Sequence, residues 1–193
     1  MVDISRAEHF LVVDLECTTD EEKKGIQRSV PRLEMESIEI GAVLVDKHFK
    51  VLKEYTKFIK PVRHPILTEF CTQLTHIDQS MISSADHFPD VFKNFQDEMI
   101  RVNTIFCSWG DFDRKQLEQD CLYWQISYAM PNHINLKKMF SITQHKTHEY
   151  GLSKALRISK LQFEGTPHRG IDDAKNIVKL LPLILNKQRI FKK

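Results

Sequence analysis

The apolar and polar positions along the chain predict a group of three strands at its start. Residues 10–18 begin with four consecutive apolar side chains, and residues 37–46 form a second apolar run, which is typical of buried strands. Residues 51–59 alternate between apolar and polar, as a half-buried strand does. These three segments predict an antiparallel meander. The apolar run at 104–109 indicates one further buried strand.

Helical spacing dominates the rest of the chain. Helices are predicted for residues 66–77, 89–100, 111–124 and 151–158, and from about 171 into the C-terminal tail, and a brief strand followed by a helix start for 133–140. Thr68 is placed to cap the first of these helices, and Pro182 is expected to kink the last. The apolar stripe from Phe88 to Met99 is interpreted as core rather than as a platform for stacking bases.

Strands that alternate with helices after a meander predict an α/β fold with a mixed sheet flanked by helices. The 193 residues suffice for one domain with a full core, and no repeat or linker divides them. We expect a single domain over residues 1–193, with its core at about 8–186 and a basic tail at 187–193.

Composition narrows the class of protein. Apolar residues at 41% and charged residues at 28% are ordinary globular values. The chain contains no membrane-length apolar run, and its four cysteines are widely spaced, so we expect a soluble intracellular protein, cytoplasmic, with reduced thiols. A net charge of +2 and a pI near 8.3 are too small for gripping a long duplex, so any nucleic-acid contact is expected to be local.

Two acids stand at the end of the first predicted strand. Asp14 and Glu16 are two positions apart, so their side chains point to the same face of the strand. Both can remain ionised at close range only if they share a cation. The pair therefore indicates either a metal site or two solvated acids at the start of a loop.

Two further acidic pairs follow later strands or loops. Asp111 and Asp113 lie where the strand at 104–109 meets a helix, and Asp172 and Asp173 follow His168 at the head of the last helix. One aspartate of each pair is explained as a helix cap. The others, with Asp14 and Glu16, form the carboxylate set that two-metal phosphodiester hydrolysis requires, and a histidine can act as its base near neutrality.

The order of these motifs resembles that of the DEDDh 3′-to-5′ exonucleases, and within them the Eri-like RNA exonucleases of the RNase T and proofreading-exonuclease superfamily. The resemblance covers residues 10–185 and rests on five motifs in order: DLECT, IEIGAVLVD, LTEFCTQLTHIDQSMI, SWGDFD and HRGIDDAKNI. It implies an RNase-H-like fold and hydrolysis of RNA from a free 3′-OH to nucleoside 5′-monophosphates. The implied cofactors are two Mg²⁺ ions, for which Mn²⁺ can substitute. The implied partners are single-stranded RNA 3′ ends, with single-stranded DNA as a further candidate.

The resemblance also assigns roles by position. Its metal ligands match Asp14, Glu16, Asp113 and Asp173, and its general base matches His168. Through this match, Glu16 is expected to be a catalytic residue as well as a metal ligand.

Four neighbouring residues receive lesser roles. Asp111 is left as the cap of its helix and Asp172 as an accessory neighbour. Leu15 and Phe112, which stand beside ligands, are candidates to pack on the terminal base, with a place in the core as the alternative.

Two positions depart from the Eri-like pattern. Cys17 stands where a small residue is usual, which would make the site sensitive to oxidation. His76 stands where the family has a glycine, so we expect a glycine-specific backbone angle to be lost there. Two alternative functions remain open: a non-catalytic nucleic-acid-binding relative and a phosphatase acting on small nucleotides.

Overall fold

The computed structural model describes residues 3–21 and 28–190 of the chain, with side chains through residue 186. The polar loop after the first strand therefore lies partly outside the described residues, at 22–27, as does the end of the predicted basic tail, at 191–193.

A five-stranded sheet in the order β3-β2-β1-β4-β5 forms the centre of the protein. Its strands are β1 (His9–Cys17), β2 (Ser37–Asp46), β3 (Val51–Phe58), β4 (Thr104–Ser108) and β5 (His133–Asn135). The first three strands pair antiparallel, whereas β4 pairs parallel with both β1 and β5. The predicted mixed sheet with its initial meander is confirmed.

Eight α-helices and one 3-10 turn (Arg32–Glu34) are present in the described part of the chain. The α-helices are α1 (Glu69–Thr75), α2 (Gln79–Ser83), α3 (Phe88–Met99), α4 (Phe112–Tyr123), α5 (Leu136–Thr143), α6 (Leu152–Ile158), α7 (Gly170–Val178) and α8 (Leu181–Ile190). The last predicted helix is two helices, because α7 ends before Pro182, which lies in the first turn of α8 rather than at a kink.

The two faces of the sheet are covered by different helices, so β1 is buried on both sides. Phe10 and Val12 point to the core shared with α5, α6, α7 and α8. Leu11, Val13 and Leu15 point to the core shared with α3 and α4, which includes the predicted stripe from Phe88 to Met99. By this alternation Asp14 and Glu16 continue the α7 face of β1.

The turn after α1 differs from its prediction. The Thr68 hydroxyl caps α1 as expected, by accepting a hydrogen bond from the Cys71 N–H at 3.0 Å. His76 at the other end has φ of 57° and so keeps the left-handed conformation that was expected to be lost. The prediction was wrong because a residue with a Cβ atom can hold this angle, at a cost in strain.

Two sequence-level observations can be compared with the structure directly. All four cysteines have buried, free thiols. Within the described ranges, every helix is too short or too polar to cross a membrane.

Candidate active site

Three of the predicted ligands meet on the α7 face of the sheet. Asp14 and Glu16 project from the end of β1, and Asp173 projects from the first turn of α7. One oxygen of each carboxylate lies within 4.8 Å of the others. This spacing is suited to a shared divalent cation, whose oxygen ligands lie about 2.0–2.6 Å from the ion.

Two glycines allow α7 to come this close to the sheet. Gly41 of β2 pairs with Asp14, and a Cβ atom at Gly41 would lie 1.9 Å from the carbonyl carbon of Gly170. A Cβ atom at Gly170 would lie 2.7 Å from the main-chain oxygen of Asp14. The first turn of α7 therefore rests on bare backbone, which brings Asp173 to the end of β1.

Asp113 approaches the same strand end from the opposite side. The parallel pairing of β1 with β4 ends at Val12 and Cys107, which leaves the last part of β1 open on that edge. Asp113, in the first turn of α4, fills the opening by accepting a hydrogen bond from the Leu15 N–H at 3.0 Å. The fourth predicted ligand is thereby fixed to the strand that carries Asp14.

The carboxylates of this site are desolvated and repel one another. Burial raises the pKa of Asp14 well above its usual value, and the charges of Asp113, Glu16 and Asp173 raise it further. Burial, then Asp173, raises the pKa of Glu16 to about 9. A site in which acids resist ionisation in this way favours a bound cation.

Asp113 and Asp173 are less perturbed because the backbone supports their charges. Burial raises the pKa of Asp113 to about 6, opposed by the hydrogen bond from the Leu15 N–H. Burial also raises the pKa of Asp173, opposed by the backbone of His168.

The fit to a metal ion is supported by one unsatisfied atom. Oδ2 of Asp173 is buried and has no hydrogen-bond partner among the described residues. A buried carboxylate oxygen without a partner costs free energy, which a coordinated ion would recover. The donors around it are oxygen atoms, the ligands preferred by Mg²⁺ and Mn²⁺.

His168 lies in the loop immediately before α7 and is exposed to solvent. Its backbone has φ of 60°, a left-handed conformation that is uncommon for a residue with a side chain. The side chain is accessible to solvent, so its placement is compatible with the predicted base. The role of His168 stays a prediction.

The two residues predicted to pack on a base have different surroundings. Leu15 is only 5% exposed and lies in the core shared with α3 and α4. Phe112 is 49% exposed and lines a cleft of about 480 Å³ with Thr19, Arg28, Arg32 and Lys115. Of the two, Phe112 has the accessible surface that contact with a base requires.

Asp111 occupies its predicted cap position, but neither aspartate pair supplies the expected side-chain cap. Asp111 stands at the cap position of α4, but its carboxylate accepts a hydrogen bond from the side chain of Asn135 instead. At α7 the cap position is Arg169, and Asp172 accepts a hydrogen bond from the Thr166 N–H in the preceding loop. The first N–H of α7, that of Gly170, is bound by Glu39 of β2 at 3.1 Å.

Glu39 and its partner Arg169 were not among the predicted site residues. The sequence carries a signal for Glu39, since it is an acid in the middle of an apolar run. Its relation to the site is not visible there, because Arg169 is 130 positions away.

The sequence is similar to those of known exonucleases. A family model described as "RNase_T: Exonuclease" matches residues 11–181. ERI1 exoribonuclease 3 of Homo sapiens is 31% identical over 198 residues, which cover 97% of this chain and 56% of that protein. The probable 3′-5′ exonuclease KapD of Bacillus subtilis (strain 168) is 25% identical, over 95% of this chain and 88% of that protein.

A solved structure extends the likeness to the fold. The nuclease domain of 3′hExo, a DEDDh family member bound to rAMP, superposes with a TM-score of 0.84 at 25% identity. The match covers 95% of this chain and 94% of that domain. This chain spans little more than half, 56%, of the ERI1 exoribonuclease 3 that it matches. Because the family model covers most of the sequence and the fold agrees, the chain belongs to the RNase_T exonuclease family, in its Eri-like DEDDh branch.

Proposed function

We propose that this chain is a metal-dependent exonuclease domain that removes nucleoside 5′-monophosphates from the free 3′-OH end of single-stranded RNA. The observation that carries the proposal is the meeting of four carboxylates at the end of β1, one with a buried oxygen that lacks a partner among the described residues. RNA is favoured over DNA because one relative is named an exoribonuclease and the 3′hExo nuclease domain was solved with rAMP.

Each carboxylate has a proposed part in holding metal. Asp14, Glu16 and Asp173 would hold one Mg²⁺ ion, and Asp14 with Asp113 would hold a second, with Mn²⁺ able to replace either. Such a pair of ions activates the attacking water and stabilises the leaving 3′-oxygen. Glu16 would orient that water, and His168 would accept its proton.

The cleft beside Phe112 supports binding of the RNA strand. Its lining includes Arg28, Arg32 and Lys115, whose charges suit phosphate groups, and Phe112 offers a ring on which a base can stack. Phe112 directly precedes Asp113, so a strand in the cleft would reach the carboxylates. A local cleft agrees with the small net charge of +2.

Shortening of a labelled RNA tests the activity. RNA with a 5′ label is incubated with the protein and Mg²⁺ and compared with DNA of the same sequence and with RNA blocked by a 3′-phosphate. We expect stepwise shortening of the unblocked RNA, release of 5′-monophosphates, and no reaction with chelator or in Asp14→Asn. Asp97→Asn, which changes an exposed acid paired with Lys93, is the matched control and should keep full activity.

The products separate the alternatives. Release of inorganic phosphate from nucleotides without shortening of RNA would indicate a phosphatase. Binding of RNA without hydrolysis under any divalent ion would indicate a non-catalytic relative.

The base assignment has a test of its own. His168→Ala should lower kcat by about 10²–10⁴, the range for loss of a general base, while Mg²⁺ still raises the melting temperature. His48→Ala, in the exposed turn after β2, is the control. An unchanged rate in His168→Ala would remove the assignment.

A further inference from the structure

Glu39 is a fully buried carboxylate beside the metal-binding cluster. It has 0% exposure and pairs directly across the sheet with Glu16, so both side chains lie on the α7 face. Removing a carboxylate from water is costly unless donors and a positive charge compensate. The surroundings of Glu39 supply both.

Four hydrogen bonds hold Glu39. Arg169 donates from Nε and from Nη2, each at 3.2 Å, one to each carboxylate oxygen. The Gly170 N–H donates at 3.1 Å and the Thr56 hydroxyl at 2.9 Å. One carboxylate therefore ties the N-terminus of α7 to β2 and fixes the orientation of the guanidinium group.

The position of Arg169 affects the acids around it. Its guanidinium group contacts the carboxylate of Glu39, which is the cross-strand partner of Glu16 on the same face of the sheet, so the positive charge lies beside Glu16. A positive charge beside Glu16 repels a divalent ion bound by Glu16. Glu39 offsets that repulsion because it places a negative charge in contact with the guanidinium group.

The negative charges at the site are then neutralised separately, some by divalent ions and one by Arg169. The four carboxylates of Asp14, Glu16, Asp113 and Asp173 carry a formal charge that two divalent ions would neutralise. The fifth acid, Glu39, is neutralised by Arg169. Glu39 is fully buried and Arg169 is mostly buried, and neither is a proposed metal ligand.

We propose that Glu39 is a positioning residue that keeps Arg169 from competing with divalent ions for Glu16. The pair also secures the loop that carries His168 to the sheet. The inference rests on the proposed metal-dependent function, and it concerns how the same site sets its affinity for metal.

Metal titration without nucleic acid tests it. The melting temperature of metal-free protein is followed against Mg²⁺ and Mn²⁺ for the wild type, Glu39→Gln, Arg169→Gln and the double variant. Glu39→Gln keeps the shape of the side chain but frees the charge of Arg169, so its half-saturating metal concentration should rise about tenfold. Arg169→Gln removes the repelling charge, so its half-saturating concentration should fall several-fold although the metal-free protein melts earlier.

The double variant provides the decisive comparison. It loses both charges, so its half-saturating concentration should return to within about twofold of the wild type. A purely structural role would instead weaken metal binding in both single variants and more so in the double variant. If Arg169→Gln does not fold without metal, Glu39→Gln and the double variant still give this comparison.

A surface pair between the same elements is the matched control. Lys175 of α7 and Glu54 of β3 form an exposed ion pair at 2.7 Å, and Glu54→Gln should leave the titration unchanged. Wild-type behaviour in Glu39→Gln, or binding in the double variant as weak as in Glu39→Gln, would overturn the inference. Absence of any metal response in the wild type would instead overturn the proposed function.

Discussion

The two aspartates of the SWGDFD motif, Asp111 and Asp113, have different surroundings in the structure. Asp113 is 5% exposed and accepts a hydrogen bond from the Leu15 N–H, whereas Asp111 is exposed and accepts one from the side chain of Asn135. The difference arises because only Asp113 lies on the side of α4 that faces β1. Residues two apart at the start of one helix are thereby a natural pair for comparison.

The first prediction concerns this pair. Asp113→Asn removes a buried negative charge from the proposed metal site, so kcat on RNA should fall about 100-fold or more, the scale of losing a group that stabilises the transition state. Asp111→Asn keeps an oxygen that can accept the Asn135 hydrogen bond and should retain most activity. Single-turnover assays at saturating Mg²⁺ measure both. Equal losses in the two variants would contradict the assignment of Asp113.

Lys115 gives a second prediction at the scale of the residue. It lines the cleft beside Phe112, so Lys115→Ala should weaken binding of single-stranded RNA and reduce its dependence on salt. Loss of one phosphate contact should lower the slope of log K against log salt by about 0.7. Fluorescence anisotropy with labelled RNA and Ca²⁺ in place of Mg²⁺ measures this without cleavage.

The matched change for Lys115 is Lys93→Ala on α3, an exposed lysine paired with Asp97. It should leave the salt slope as in the wild type. Identical slopes in all three proteins would place the RNA strand outside the cleft.

At the scale of the element, the site depends on how closely α7 lies on the sheet. The contact is backbone on backbone, at Gly41 of β2 and Gly170 of α7. Only this approach brings Asp173 within reach of Asp14 and Glu16. Because the two backbones are in contact, neither glycine position can accept a side-chain atom without moving α7.

Gly41→Ala tests that dependence. The new Cβ atom would lie 1.9 Å from the Gly170 carbonyl carbon, so α7 must move and the protein should lose about 1–3 kcal/mol of stability. Metal binding should weaken as well, because Asp173 moves with α7. Gly151→Ala, where an added Cβ meets nothing within 4 Å among the described residues, should have neither effect. Denaturant unfolding and metal titration measure the two; normal metal binding in Gly41→Ala would show that Asp173 does not need this contact.

Elements could be predicted from the sequence where the evidence for them was local. The meander follows from apolar runs at 37–46 and 51–59, and the Thr68 cap follows from one side chain and the helix after it. The expected aspartate cap of α7 failed because Glu39, on a strand 131 positions before Gly170, binds the first N–H of that helix. Such a contact exists only once α7 has docked, so no local pattern encodes it.

The same reasoning applies to the candidate site. The residue types and their order sufficed to name Asp14, Glu16, Asp113, Asp173 and His168 as candidates. The sequence could not show that Leu15 is buried while Phe112 borders a cleft, because both are apolar residues beside an acid. Exposure depends on the packing of the whole sheet, which sets which face each residue occupies.

At the scale of the molecule, the site lies where the sheet changes from antiparallel to parallel pairing. The last residues of β1 still pair with β2 on one edge, whereas their pairing with β4 on the other edge has already ended. Openings of this kind at the carboxyl ends of parallel strands are common ligand sites in α/β proteins. Here the opening is filled by buried acidic side chains that repel one another. The proposed active site therefore lowers the stability of the folded protein when no metal is bound.

That conflict predicts how stability changes with pH. The pKa values of Asp113 and Glu16 are raised to about 6 and about 9, so the folded protein binds more protons than the unfolded chain at Asp113 below about pH 6 and at Glu16 up to about pH 9. Stability of the metal-free protein should therefore fall as pH rises from about 5 to 9, by up to about 1.4 kcal/mol per pH unit for each proton. Exposed acids with lowered pKa values, such as Asp46 and Asp78, act in the opposite direction but only at acidic pH.

Divalent ions should reverse this trend, because they neutralise the same carboxylates without protons. Melting curves with Mg²⁺ or with chelator, from pH 5 to pH 9, measure the effect, and the stabilisation by Mg²⁺ should grow as pH rises. In Glu16→Gln the metal-free protein should melt later than the wild type at high pH, and Mg²⁺ should add less. A metal-free wild type that grows more stable between pH 6 and pH 9 would show that these acids ionise without cost, and the electrostatic basis for a metal site at the end of β1 would be lost.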